Sequence, residues 1–113
     1  MKQQLTKEHS RRLIELGISK RYASEMDVEE VVGISANHIY PIFTIGDLLE
    51  VLPKEIETDG GLRYGLNIMY DERAWRVCYL NGHSTTATVY CDELIDALFD
   101  FIIWCIGVGF ILI

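Results

Sequence analysis

The sequence predicts an α+β fold: an antiparallel β-meander of about three strands, with helices packed on one face and a long C-terminal helix. Two period-2 runs joined by a short polar turn predict a hairpin, and Asn81-Gly82 marks a second hairpin turn. An apolar stretch with helical spacing follows Asp92. Half of the 113 residues are hydrophobic, which is enough to build the core of one domain covering residues 1–113.

Two short helices are predicted near the N-terminus. Thr6 suits the N-cap of the first helix, and Gly17 suits its left-handed C-terminal cap. Ser19 can cap a second, shorter helix that runs to about Ala23. Residues 26–42 are ambiguous, because their β-branched residues favour a strand while Glu29-Glu30 and Gly33 fit a helix end equally well.

A third short helix has stronger local signals. Thr44 is its predicted N-cap and Asp47 the capping-box partner, with Phe43 packing against Leu48 as a hydrophobic staple. Pro53 is expected to stop this helix.

The predicted meander covers residues 62–90. Its first two strands alternate apolar with polar residues on either side of Asp71-Glu72-Arg73, and residues 85–90 are β-prone. One face of these strands carries four aromatic residues, which are expected to form core beneath the helices rather than a base-stacking surface: Tyr64, Tyr70, Trp75 and Tyr79.

The predicted last helix begins near Asp92 and changes character after Asp100. Asp92, Asp96 and Asp100 recur every four residues as a solvated stripe, opposite an apolar face that would cover the sheet. The 13 residues from 101 to 113 carry no charge, and Gly107 and Gly109 are expected to interrupt the helix. A bilayer-spanning helix needs about 20 apolar residues, so a span is not predicted.

Three environments remain open for residues 101–113: the chain's own core, an interface between copies, and a membrane surface. If copies associate, the predicted interface consists of Phe101, Ile102, Trp104, Ile106, Phe110, Ile111 and Ile113.

Charge is distributed unevenly along the chain. Residues 1–21 hold six basic and two acidic side chains, a balance of +4, while the remaining 92 hold four basic and 15 acidic side chains, a balance of −11. Such an acidic surface repels nucleic acid and attracts basic partners. The N-terminus shows no signal-peptide pattern and the three cysteines form no disulfide framework, so a cytoplasmic protein with reduced thiols is expected.

Residues 6–25 nevertheless allow a helix-turn-helix hypothesis. Gly17 would lie in the turn, and Lys20-Arg21 would open a second helix next to DNA phosphates. The acidic residues that follow and the shortness of that helix favour a plain helical hairpin packed on the sheet.

The residue types of metal and catalytic sites occur without the required spacing. Cys78, His83 and Cys91 flank the Asn81-Gly82 turn, but no zinc-ligand spacing, nucleophile–base pair or phosphate loop accompanies them. No metal, cofactor or catalytic residue is therefore predicted, and the expected protein is not an enzyme.

Several segments resemble small uncharacterised proteins encoded by phages and mobile elements of gut Bacteroidales. The resemblance is carried by "Leu-Ile-Glu-Leu-Gly-Ile", "Tyr-Pro-Ile-Phe-Thr-Ile-Gly-Asp-Leu-Leu-Glu-Val-Leu-Pro", the hairpin segment Ala74-Trp75-Arg76-Val77 and "Asp-Glu-Leu-Ile-Asp-Ala-Leu-Phe". It covers most of the chain and implies a mobile-element origin, without implying an activity or site residues.

The apolar segment 101–113 on an acidic body favours a non-enzymatic protein-binding or regulatory module that can form a homo-oligomer. Nucleic acid is not expected as a ligand. DNA binding through residues 6–25 is the alternative, and mimicry of nucleic acid by the acidic body is a third, weaker hypothesis.

Overall fold

The computed structural model describes residues 1–30 and 37–113, and the side chains of all of these except 28–30 and 37–39. The helices are α1 (Lys7–Glu15), α2 (Ile45–Val51) and α3 (Leu94–Val108), and Lys20–Tyr22 forms one 3₁₀ turn. The strands are β1 (Glu25–Glu30), β2 (Asn37–Ile42), β3 (Glu55–Glu57), β4 (Arg63–Asp71), β5 (Ala74–Asn81), β6 (Ser84–Thr85) and β7 (Val89–Cys91).

The main sheet confirms the predicted α+β class and contains more strands than the predicted three. β4 and β5 pair antiparallel with Tyr70 opposite Trp75, across a two-residue turn in which Glu72 has φ 57°. β3 pairs with the other edge of β4, while β6 and β7 share the far edge of β5. The sequence does not predict β3 and β6, because strands of three and two residues are too short to show an alternation of apolar and polar side chains.

Helix α3 covers one face of the main sheet. Val77 and Tyr79 are fully buried on the face on which α3 packs. Because successive side chains of a strand point to opposite faces, Arg76 and Cys78 lie on the other face. The aromatic face is core as predicted, except that Tyr70 is 58% exposed at the hairpin end.

The N-terminal region contains α1 and a separate two-stranded sheet, and α1 packs on β2. Thr6 caps α1 by accepting from the His9 N–H, and Gly17 follows the helix with φ 107°. β1 and β2 pair antiparallel, with Glu25 opposite Ile42. The ambiguous residues 26–42 are therefore strands where described, and residues 31–36 lie outside the described part of the chain.

α2 has the predicted capping box. Thr44 accepts from the Asp47 N–H, and the Asp47 carboxylate accepts from the Thr44 N–H at 2.8 Å. The same carboxylate accepts from both the N–H and the hydroxyl of Ser24, which ties α2 to the segment before β1. Burial raises the pKa of Asp47, but these hydrogen bonds outweigh it and hold the pKa below its ordinary value.

Two expectations about helix ends are wrong. Gly107 does not interrupt α3, because the helix continues through Val108 and ends at Gly109, whose φ of 87° is left-handed. A glycine inside a helix costs only about 1 kcal/mol, which the buried face of α3 outweighs. The second N-terminal helix is reduced to the three-residue 3₁₀ turn, although Ser19 does cap it as predicted.

Candidate functional site

The end of α3 and residues 109–113 form the most unusual surface of the molecule. After Gly109 the chain turns back, and the Phe110 N–H donates to the Cys105 carbonyl while the Gly109 N–H donates to the Ile106 carbonyl. This hydrogen-bond pattern closes a helix end and reverses the chain. The reversal lays Phe110 and Ile111 beside the last turns of α3.

Aromatic side chains hold this reversed segment in place. The Phe110 ring lies 5.6 Å from the Trp104 ring and 6.3 Å from the Tyr79 ring, between ring centroids. Phe101 completes the cluster, 5.3 Å from Tyr79 and 5.2 Å from Trp104. Edge-to-face and tilted pairs at these distances stabilise by about 0.5–1.5 kcal/mol each beyond their buried area. The chain thus shelters much of its uncharged segment by itself.

The predicted interface residues separate into three groups. Phe101 and Ile102 are fully buried within the chain and have no surface to offer a partner. Four side chains are partly buried: Trp104, Ile106, Phe110 and Ile111. Ile113 is 64% exposed, and two neighbours outside the predicted set are exposed as well, Leu112 at 90% and Val108 at 51%.

We call the three exposed side chains of Val108, Leu112 and Ile113 the apolar end. Ile113 rests on Gly17, so closely that a Cβ built on this glycine would lie 1.9 Å from the Ile113 Cγ2. Ile113 therefore places the end of the chain next to the turn that follows α1. Three exposed aliphatic side chains within six residues of the chain mark a candidate interaction site.

A groove lies between α1 and β2. Its volume is about 250 Å³, and it is lined by apolar and charged residues of both elements: Lys7, Arg11, Ile14, Glu15, Tyr40 and Pro41. The Lys7 Nζ lies 4.7 Å and the Arg11 Cζ 5.2 Å from the centre of the Tyr40 ring, so both cations face its π system. This basic groove belongs to the positive N-terminal region.

The basic region does not form a helix-turn-helix. Lys20 and Arg21 lie in a single 3₁₀ turn of three residues, whereas a recognition helix must be long enough to place several side chains in the major groove. The helix-turn-helix hypothesis is wrong because the chain is already extended at Ala23 and enters β1 at Glu25, which leaves no room for a second helix. The basic side chains of residues 6–25 remain, without a helix that could insert them into DNA.

Cys78 and Cys91, which flank the Asn81-Gly82 turn, do not converge on one site. Cys78 and Cys91 lie on opposite faces of the main sheet, because Cys91 pairs with Trp75, three residues before Cys78 in β5. Burial raises the pKa of Cys78, and it raises the pKa of Cys105 to about 11. A thiol with a raised pKa is a poor nucleophile and a poor metal ligand at neutral pH.

The acidic stripe of α3 has structural partners. Asp96 forms an exposed ion pair with Lys2 at 3.6 Å, and Asp100 accepts from the Cys91 thiol at 3.6 Å. Across the described residues 1–30 and 37–113, no three His, Cys, Asp or Glu side chains cluster as a metal site would require. In the same ranges no helix is long and apolar enough to cross a membrane.

Comparisons with known proteins add no candidate activity. No family model, curated protein or solved structure matches this chain. The surface chemistry of the chain is therefore the basis for a functional proposal.

Proposed function

We propose that this protein is a non-enzymatic protein-binding module that associates with a second copy of itself through the apolar end. The observation that carries the proposal is the exposure of Leu112, at 90%, together with the exposure of Val108 and Ile113. Three large aliphatic side chains exposed at the end of α3 and in the reversed segment are costly in water, and a protein surface would cover them.

The buried area sets the strength of this contact. Covering the exposed parts of the three side chains contributes on the order of 4 kcal/mol per copy. Association itself costs about 4 kcal/mol or more, and the partly buried Trp104 and Ile111 add contact area. The expected Kd of the dimer is on the order of 100 μM, which is a weak, reversible association.

Light scattering over protein concentrations from about 10 to about 500 μM tests the proposal. The average mass should rise toward that of a dimer. Leu112→Glu should remain monomeric, because it places a charge in the contact without disturbing the monomer. Leu62→Glu is the matched control: Leu62 is 55% exposed in the turn before β4, and its variant should associate like the parent. A monomer at every concentration, or equal association of both variants, overturns the proposal.

Two further features belong to the proposal. A cytoplasmic location is favoured by three cysteines that all carry free thiols. A phage or mobile-element origin, which the sequence resemblance implies, suits a small binding module that acts on other proteins.

A further inference from the structure

The edge of strand β4 is only partly paired. β4 runs over nine residues, but β3 has three residues and pairs only with Arg63, Tyr64 and Gly65. Residues 66–71 pair with β5 on one side. In the parts of the chain that the structure describes, no strand lies on their other side.

The hydrogen bonds show which backbone groups this edge presents. The Leu66 N–H points away from β5 and donates to the Lys54 carbonyl at 2.8 Å. Backbone groups of a strand alternate in direction, so the N–H and C=O of Ile68 and Tyr70 point the same way. Outside the β4–β5 ladder, none of the described hydrogen bonds involves a backbone group of these two residues.

This edge lacks the usual protection against strand pairing. Natural edge strands carry lysines, prolines or bulges that prevent pairing with another chain. Residues 66–70 contain no charge and no proline, and their register with β5 runs without a bulge. Met69 is 41% and Tyr70 58% exposed, so side chains on both faces of the edge are accessible.

We infer that the β4 edge binds an extended segment of another protein, apolar at alternate positions and basic at its flanks. The free backbone groups of Ile68 and Tyr70 would add such a segment as a strand. The ends of the edge carry acidic Glu55 in β3, Asp71 at the end of β4 and Glu72 in the turn, beside basic Lys54 and Arg73. Because the chain has a net charge of −7, a partner segment with basic flanks is complementary to it in charge.

This inference concerns a different surface from the apolar end, so the experiment uses the Leu112→Glu variant to remove self-association. The probe is a fluorescein-labelled peptide, Lys-Lys-Val-Thr-Val-Thr-Val-Lys-Lys, titrated by fluorescence anisotropy. A peptide of the same sequence with N-methyl groups on alternate backbone nitrogens is the control for strand pairing. The N-methylated peptide should bind at least tenfold more weakly.

Two substitutions at equally exposed tyrosines locate the site. Tyr70 and Tyr90 are each 58% exposed, but Tyr70 lies on the free edge of β4 and Tyr90 on β7. Tyr70→Lys should weaken binding at least tenfold and Tyr90→Lys less than twofold. Tyr70→Pro removes the backbone N–H of residue 70, which points away from β5. No hydrogen bond between β4 and β5 is lost, so this variant should fold and still bind the peptide more weakly.

Four results would overturn the inference: no binding of the peptide up to about 1 mM, equal binding of the N-methylated peptide, equal effects of the two lysine substitutions, or self-association that Tyr70→Lys abolishes. The last would make a second copy the occupant of the edge.

Discussion

Replacing Gly17 with alanine tests whether the end of the chain rests on the turn after α1. Gly17 has φ 107°, a conformation that L-residues with a Cβ rarely adopt. The new Cβ would also lie 1.9 Å from the Ile113 Cγ2, so the isoleucine would have to move. Both effects act on the folded state and lower the free energy of unfolding.

The magnitude follows from the two contributions. A non-glycine residue in the left-handed region costs about 1–2 kcal/mol. Ile113 is already 64% exposed, so displacing it forfeits about 1 kcal/mol of apolar burial. We expect Gly17→Ala to lower the free energy of unfolding by about 2–3 kcal/mol, which is about 10 °C in Tm for a domain of this size.

Urea unfolding followed by tryptophan fluorescence measures this change. Gly107→Ala is the matched control, because Gly107 lies within α3 with no atom within 4 Å of an added Cβ. That variant should be more stable than the parent by about 0.5–1 kcal/mol. A Gly17→Ala protein within 0.5 kcal/mol of the parent would refute the reasoning.

A double-mutant cycle separates backbone strain from the contact. In an Ile113→Ala background the displaced side chain is gone, so Gly17→Ala should cost only the strain of about 1–2 kcal/mol. An identical cost in both backgrounds would show that Ile113 does not rest on Gly17.

Three further predictions concern hydrogen bonds and a thiol. Because the folded-state pKa of Asp47 lies below its ordinary value of 3.8, its stabilising effect is complete above that pH and is lost as the pH falls through the folded-state pKa. Asp47→Ala should therefore cost about 1 kcal/mol in urea unfolding at pH 6 and less at pH 3; a cost independent of pH would contradict this. Tyr79→Phe removes the 2.8 Å hydrogen bond to the Pro53 carbonyl and should cost about 1–2 kcal/mol, whereas a change below 0.3 kcal/mol would show that water replaces the hydroxyl. Burial, and after it the charge of Asp100, raises the pKa of the Cys91 thiol to about 11. Asp100→Asn should therefore lower this pKa and accelerate alkylation of Cys91 by iodoacetamide at pH 8, measured by mass spectrometry. An unchanged alkylation rate would show that the Asp100 carboxylate does not raise the pKa of Cys91.

The sequence predicted the elements whose signals are local. The capping box of Thr44 and Asp47 needs only neighbouring residues, and so does the N-cap at Thr6. The β4–β5 hairpin is likewise encoded by two alternating runs around a polar turn. These features depend on spacing along the chain, which a sequence displays directly.

The remaining features depend on contacts between distant residues. Ile113 meets Gly17 across most of the chain, and nothing near either residue indicates the other. The predicted interface includes Phe101 and Ile102 because hydrophobicity does not show which side chains the protein's own core covers. The edge of β4 is open because β3 has only three residues, and the sequence gives no signal for where so short a strand begins and ends.

Nuclear magnetic resonance spectra recorded on dilution test the binding role of the apolar end most directly. Amide shifts should change with protein concentration at residues 104–113 and around Gly17, and stay constant on β4 and in the basic groove. Spectra that do not change with concentration, or changes confined to another surface, would contradict the account.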